Sequence, residues 1–375
     1  MNREISLIGI GQTKFGEWWE RSLRDLLAEA ILKTLDSSPC TPLDIDAVIV
    51  ANMLGEWTDD QAHLGALTAS LLPHHPPALR VEAACASGSV ALYTACALLE
   101  SQRAQTVLVV GAEKMTNASG DAIQVALMGA ADSEHDQPCG LTFAGIFALI
   151  AQRYLHDYGL TREDLSIVSA VHHRNAKGNP FAQFRQEITV EAVSESPLVA
   201  DPLRLLDCSP VSDGAAACIL STKFKSPLRI RASQVSTDTL SLTERTEITS
   251  FQSTKAAVER AFAEAEITRD DVRALETHDC FSIAALVNLE DLGFAEPGRG
   301  IEIYKKIFEE DEYPFFLNRS GGLKACGHPV AATGVKQVLD VAKELQTAKL
   351  RFGLAHNIGG AGATCGMHIL EYTNA

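Results

Sequence analysis

The sequence is short of positive charge: 32 Lys+Arg stand against 48 Asp+Glu, a formal net charge of −16. That balance argues against a general nucleic-acid binder, whose affinity comes from a basic surface meeting phosphates, and against a polybasic membrane-surface protein. No apolar stretch approaches the roughly 18–20 residues that a membrane span requires. The opening MNREISLIGIGQTKFG has no basic region followed by an apolar one, so no signal peptide is expected. The closing EYTNA carries no S-K-L address. No two of the nine cysteines stand at the C-x-x-C spacing, which argues against a structural zinc site. Gly9-Ile10-Gly11 begins like a dinucleotide fingerprint, but Lys14 takes the third glycine's place. G-x-x-x-x-G-K-[ST] and H-E-x-x-H are missing as well, so hydride transfer and nucleotide hydrolysis have little support. A reduced, cytoplasmic protein with free thiols is the expectation.

What is present is apolar and patterned. Hydrophobic residues make up 46% of 375, enough for two or three domains or one large duplicated one. Strands are expected at 4–10, 46–51, 78–83 and 106–112, with helices over 22–35, 60–72 and about 86–101 between them. Ser22 with Asp25 resembles a capping box. The same order returns later: a strand at 228–236, a helix at 253–265, a short apolar strand within 269–279, a helix over about 330–346 opened by Pro329, and a strand at 351–357. Strands alternating with helices predict a mostly parallel sheet covered on both faces. Matching order in the two stretches points to an internal duplication.

Between the halves lies an insertion, roughly 113–210, with helical pieces at 142–157 and 161–173. It holds a local basic group, His172, His173, Arg174, Lys177 and Arg185. The group reads either as a solvated helix face or as a lid whose cations meet an anionic ligand.

Cys85 lies in VEAACASGSVALYTACALLE, directly after an apolar strand and at the start of a helix rich in small residues. A thiol there meets the positive end of the helix dipole and unpaired N–H groups, which would stabilise a thiolate and later an oxyanion. The plain alternative is a buried structural cysteine in a strand-to-helix turn. In the second half, His278 in ETHDCFSIAAL and His328 in GGLKACGHPVAATG occupy strand exits, where such sheets form their sites. HNIGGAGATCG, 356–366, is a glycine-rich turn that lets backbone N–H groups approach a ligand.

AACASG with Cys85, THDCF at 277–281, GLKACGHPVAATG at 323–334 and HNIGGAGAT at 356–364 together resemble the four active-site loops of thiolases. The version is that of the sterol carrier protein-type and archaeal-type branch, in which an H-D-x-F loop replaces N-E-A-F. The resemblance implies an α/β thiolase fold: two βαβαβαββ halves, residues 1–112 with 211–227 and residues 228–375, in αβαβα layers, with 113–210 inserted. It implies reversible Claisen condensation of acyl-coenzyme A, or thiolysis of 3-ketoacyl-coenzyme A, through an acyl-enzyme on Cys85. His328 would take the thiol's proton, and Cys280 would be the second acid/base. His278 would stand at the enolate oxyanion hole. The N–H groups of Cys85 and Gly359 would form the other hole.

Coenzyme A thioesters would be substrates, with no cofactor and no metal, and Arg174, Lys177 and Arg185 would meet coenzyme A phosphates. A homodimer or tetramer is implied. The rivals are a ketosynthase-like condensing enzyme, a relative working with an OB-fold partner protein, and a silent acyl-coenzyme A- or lipid-binding protein. Cys326 stands where archaeal relatives usually have arginine. It, Cys365, Cys40, Cys96, Cys139, Cys208 and Cys218 read as packing.

Overall fold

The computed structural model describes residues 4–311 and 313–374. Along the chain run β1 (Ile5–Gln12), β2 (Ala47–Ala51), β3 (Ala78–Val81) and β4 (Thr106–Glu113). A separate hairpin, β5 (Leu198–Ala200) with β6 (Leu203–Arg204), precedes β7 (Gly214–Ser221). The second set is β8 (Leu228–Thr237), β9 (Val272–Glu276), β10 (Phe316–Leu317), β11 (Phe352–Gly359) and β12 (Thr364–Tyr372). Their order is β3-β2-β4-β7-β1 and then β8-β12-β11-β9-β10. Read outward from the β1–β8 seam, each half runs first, fifth, fourth, second and third strand. The duplication expected from sequence order is therefore present in topology. The seam is narrow, pairing Ile5 with Ile230 and Ser6 with Arg229. Within each half the second, third and fourth strands pair in parallel, and the fifth lies antiparallel between the fourth and the first.

Local chemistry explains the elements. Strand β4, TVLVVGAE, is buried at every position, as expected of a sheet covered on both faces. The helix Leu23–Asp36 begins at a true capping box: Asp25 N–H donates to Ser22 Oγ, and Ser22 N–H donates to the Asp25 carboxylate. That helix covers the first half, and Gln252–Ala265 covers the second. Two central helices, Ser87–Glu100 and Thr333–Ala348, pack on each other and on strands of both halves, completing αβαβα layers. Ten consecutive residues, Thr333 to Ala342, are buried. The one buried cation among them, Lys336, lies 3.0 Å from Asp340 and 3.6 Å from Glu276.

Three expectations change. The single helix expected over 60–72 is two short turns, Gly55–Thr58 and Leu64–Ala69. The Gln61 N–H folds back on the Gly55 carbonyl, which ends the first turn early. Pro329 does not open the long helix, because a 3₁₀ turn, Val330–Ala332, intervenes and the helix starts at Thr333. The insertion is not a loose lid. Its helices Phe143–Tyr158 and Arg162–Ala176 put Phe147, Ile150, Tyr154, Leu165 and Val168 into one core with Ile283, Leu286 and Leu354 of the second half.

Candidate active site

Cys85 sits in the turn between β3 and the first central helix. Ser87 Oγ accepts the Ala83 N–H at 2.8 Å and donates to the Ala84 carbonyl at 2.6 Å, which ties the turn to the helix start. Ala84 holds φ at 51°, a left-handed conformation that costs about 1–2 kcal/mol without glycine. Helix geometry begins at Ser87, so half-buried Cys85 lies just outside the dipole's end. Burial pushes its thiol up to about 12. The nearby Gly360 N–H opposes the shift, and the Glu113 and Glu82 carboxylates reinforce it. The thiol is therefore protonated at rest. Cys85 needs a base.

His328 supplies one. The Cys85 sulfur and one ring nitrogen each of His278 and His328 lie within 4.8 Å of one another. The His328 Nδ1 is 2.6 Å from Thr333 Oγ1, whose own hydrogen goes to the Pro329 carbonyl. The hydroxyl oxygen must then accept, so Nδ1 carries the ring proton and Nε2 presents a lone pair. That Nε2 is buried and has no hydrogen-bond partner among the described residues. Burial holds His328 down at about 4, so the imidazole is neutral at physiological pH.

His278 is set the opposite way. Asn357 Nδ2 donates to its Nδ1 at 2.8 Å, which leaves the hydrogen on Nε2. Burial, with His328 and His356 adding to it, keeps this ring well below the ordinary histidine range. The two rings meet edge to face with centroids 5.1 Å apart. One offers an acceptor and the other a donor, the pairing that proton removal and oxyanion stabilisation need.

Cys280 follows in the same loop. Burial raises its thiol well above the usual range, and Cys85 lies near enough to raise it further. Between the two, Asp279 turns away from the site and accepts the N–H groups of Leu323 and Lys324 at 2.8 and 3.2 Å. His172 Nδ1 lies 2.8 Å from its other side and meets Tyr304 through Nε2. Burial would raise Asp279, but His172 and these N–H groups hold it below the usual range. A Cβ on Gly322, at φ +59°, would stand 2.2 Å from the Asp279 carboxylate, so only glycine allows this approach. The His278–Cys280 loop is thereby anchored to the His328 loop and, through His172, to the insertion.

Gly359 closes β11 opposite Thr364 and lies against the Cys85 turn, where a Cβ on it would stand 3.2 Å from the Ala86 nitrogen. The expected residues of the insertion fall elsewhere. His172 and His173 are buried and are not lid cations. Arg174 donates to the Ile307 and Phe308 carbonyls at the end of the helix Gly300–Glu310. Lys177 pairs with Glu187 at 2.6 Å, and Arg185 reaches back toward the Lys177 carbonyl at 3.5 Å. These three cations are engaged within the chain rather than gathered at Cys85. Of the cysteines expected to pack, Cys326, Cys365, Cys40, Cys96 and Cys218 are buried. Cys208 is half-buried beside Phe281, and Cys139 is exposed, so neither is plain core. Sequence reasoning missed Thr333, Gly360 and the orienting role of Asn357; all three lie in the loops already singled out.

A protonated thiol beside an imidazole lone pair, with a second imidazole offering N–H, is an arrangement for holding an acyl group as a thioester. Its class is the cysteine-dependent acyltransferases.

Residues 5–223 match the family model described as thiolase, N-terminal domain, and residues 234–372 match thiolase C-terminal domain-like. The acetyl-CoA acetyltransferase of Methanocaldococcus jannaschii is 43% identical, with 98% of this chain and 99% of that protein covered. That of Methanothermobacter thermautotrophicus is 40% identical, covering 98% and 100%. Among solved structures, one titled Ltp2-ChsH2(DUF35) aldolase superposes with a TM-score of 0.83 at 22% identity, covering 99% and 98%. The chain belongs to the thiolase family, in its archaeal and sterol carrier protein-like branch, and is an acyltransferase.

Proposed function

We propose that the chain interconverts two acetyl-coenzyme A with acetoacetyl-coenzyme A, or cleaves longer 3-ketoacyl thioesters, through an acyl-enzyme on Cys85. The carrying observation is the opposed pair of imidazoles within 4.8 Å of the Cys85 sulfur. His328 Nε2 takes the thiol proton as the sulfur attacks the thioester carbonyl, and the free coenzyme A thiol leaves with a proton. The backbone N–H groups of Cys85 and Gly359 would receive the tetrahedral oxyanion. Cys280 gives its proton to the leaving coenzyme A sulfur and, as the thiolate so formed, removes the α-proton of the incoming acetyl group in the second half-reaction. His278 Nε2–H stabilises the enolate oxygen, and the Cys85 sulfur expelled by the enolate takes back its proton from His328. No bound cofactor is required.

A second thiol beside the nucleophile favours a thiolase over a ketosynthase-like enzyme, which needs none. The working form proposed is a cytoplasmic homodimer or tetramer. The resemblance to a structure whose title names a DUF35 component makes an OB-fold partner a further proposal.

Incubation with labelled acetyl-coenzyme A, followed by mass analysis of intact and digested protein, tests the reading. Label is expected on Cys85 and on no other residue, and Cys85→Ala should abolish it. Label retained elsewhere would remove Cys85 from the role. Cys280→Ser should still acquire label yet lose condensation and thiolysis by at least about 10²-fold. Unchanged turnover would instead favour the ketosynthase-like reading.

A further inference from the structure

The same cluster has a chemistry that acyl transfer does not use. One thiol and two imidazoles converge within 4.8 Å, and the His328 Nε2 is buried with its lone pair unclaimed. That donor set, borderline-soft and three in number, is one that zinc takes with a fourth position left open. We propose that Cys85, His278 and His328 form a reversible binding site for a thiophilic divalent cation, zinc above all, which silences the enzyme by occupying its nucleophile and base. The silencing rests on the function proposed above; the binding does not.

The geometry sets what must move. Zinc bonds of about 2.3 Å to sulfur and about 2.0 Å to nitrogen, at tetrahedral angles, place donors about 3.3–3.6 Å apart. From a spread of 4.8 Å the donors must therefore close by up to about 1.2–1.5 Å, the imidazoles as well as the thiol. His328 is already in the tautomer a metal needs. His278 must move its hydrogen from Nε2 to Nδ1 and find an acceptor for it. Asn357 provides that acceptor, since its Oδ1 is buried without a partner and turning the amide exchanges Nδ2 for Oδ1 at His278 Nδ1. Such an outer partner fixes tautomer and ring orientation at metal-bound histidines. The balance is simple: Zn²⁺ and Cys85–SH give Cys85–S–Zn⁺ and one proton released to solvent. No electron is transferred, and water or a coenzyme A thiol fills the fourth position.

Cobalt(II) is the probe. Added to the purified full chain, it should produce a thiolate-to-cobalt charge-transfer band and the intense visible bands of a tetrahedral site, both bleached by zinc. Alkylating Cys85 in the folded protein should abolish the bands, so the result does not depend on a variant's folding. Cys85→Ser should lose the charge-transfer band and Cys280→Ser should keep it; the reverse pattern overturns the site. Asn357→Ala should weaken zinc by about 10–100-fold, as expected for loss of an outer partner. Zinc should inhibit thiolysis competitively with the acyl thioester, and chelation should restore activity. Cobalt bands without acetyl label on Cys85 would keep the metal site and discard the acyl-enzyme. Label without bands would discard the metal site alone.

Discussion

The two halves share a strand order but put different chemistry at the same exits. After β2, Asn52 donates to the Glu113 carboxylate of β4 at 2.5 Å, and Glu113 also accepts the N–H groups of Met53, Leu54 and Ala331. After β9, His278 takes that place, and Asn357 of β11 holds its ring at 2.8 Å. One exit is a lock, in which a buried carboxylate satisfies four donors. The other is an instrument, in which an amide decides which nitrogen carries a hydrogen. Likewise Cys85 and His328 precede the two central helices, and their meeting follows from how closely those helices approach. A Cβ on Gly88 would stand 2.6 Å from the Ala331 carbonyl, and one on Gly334 would stand 2.4 Å from the Ser89 nitrogen. The fold supplies equivalent places, and the residue at each decides whether it binds the protein or the substrate.

The comparison breaks most sharply at the instrument. His328→Ala removes the base while leaving the helix start to Thr333, so turnover should fall by about 10²–10⁴-fold with an unchanged melting temperature. Retained turnover would mean that another group deprotonates Cys85. The lock should show the reverse, with stability lost first. Glu113→Gln keeps the shape but turns an amide NH₂ toward N–H donors, which should cost about 2–4 kcal/mol in denaturant unfolding at pH 5. Burial raises the Glu113 carboxyl to about 7 despite the Leu54, Met53 and Ala331 N–H groups, against about 4.3 when unfolded. The folded chain therefore holds that proton more tightly. The group's contribution is full below pH 4 and is lost as pH rises through about 7. Glutamine does not titrate, so the gap between variant and parent should narrow over that window. A widening gap would show that the carboxylate, not the acid, is the stable partner of the four donors.

The sequence showed the places more fully than their pairing. Strand β4, the capped helix at Ser22 and the Cys85 turn are local patterns, set by apolar runs and by one Ser-x-x-Asp. The Asn357–His278 bond joins residues 79 apart, and no periodicity announces it. The helix terminus beside Cys85 is a local cue legible in sequence, whereas the burial that keeps its thiol protonated comes from packing with distant segments. The single helix expected over 60–72 failed for a related reason: Glu113, from another strand, pins the Met53 and Leu54 N–H groups and fixes where the first turn begins. Of the cation group at 172–185, His172 and His173 are buried, and the structure sends Arg174, Lys177 and Arg185 each to a different neighbour, which adjacency in sequence does not show.

Smaller effects sharpen the same contrast. Gly88→Ala presses a methyl against the Ala331 carbonyl, with the Gly334 and Val335 nitrogens also within 3.0 Å, and backbone on that side has little room to yield. A loss of about 1–3 kcal/mol is expected, together with a drop in acyl-enzyme formation as Cys85 and His328 are forced apart. If stability falls while labelling is untouched, the helix contact serves the core alone. Lys177→Ala should do least. Its ammonium is solvent-exposed and already paired with Glu187 at 2.6 Å, so a coenzyme A phosphate would have to displace that carboxylate. The Michaelis constant for acetyl-coenzyme A should stay within about twofold at physiological salt, where exposed charges are screened. A larger rise, suppressed by added salt and reproduced by Arg185→Ala, would show that substrate breaks the internal pair. The insertion would then bind the coenzyme directly, in addition to its role in packing against the second half.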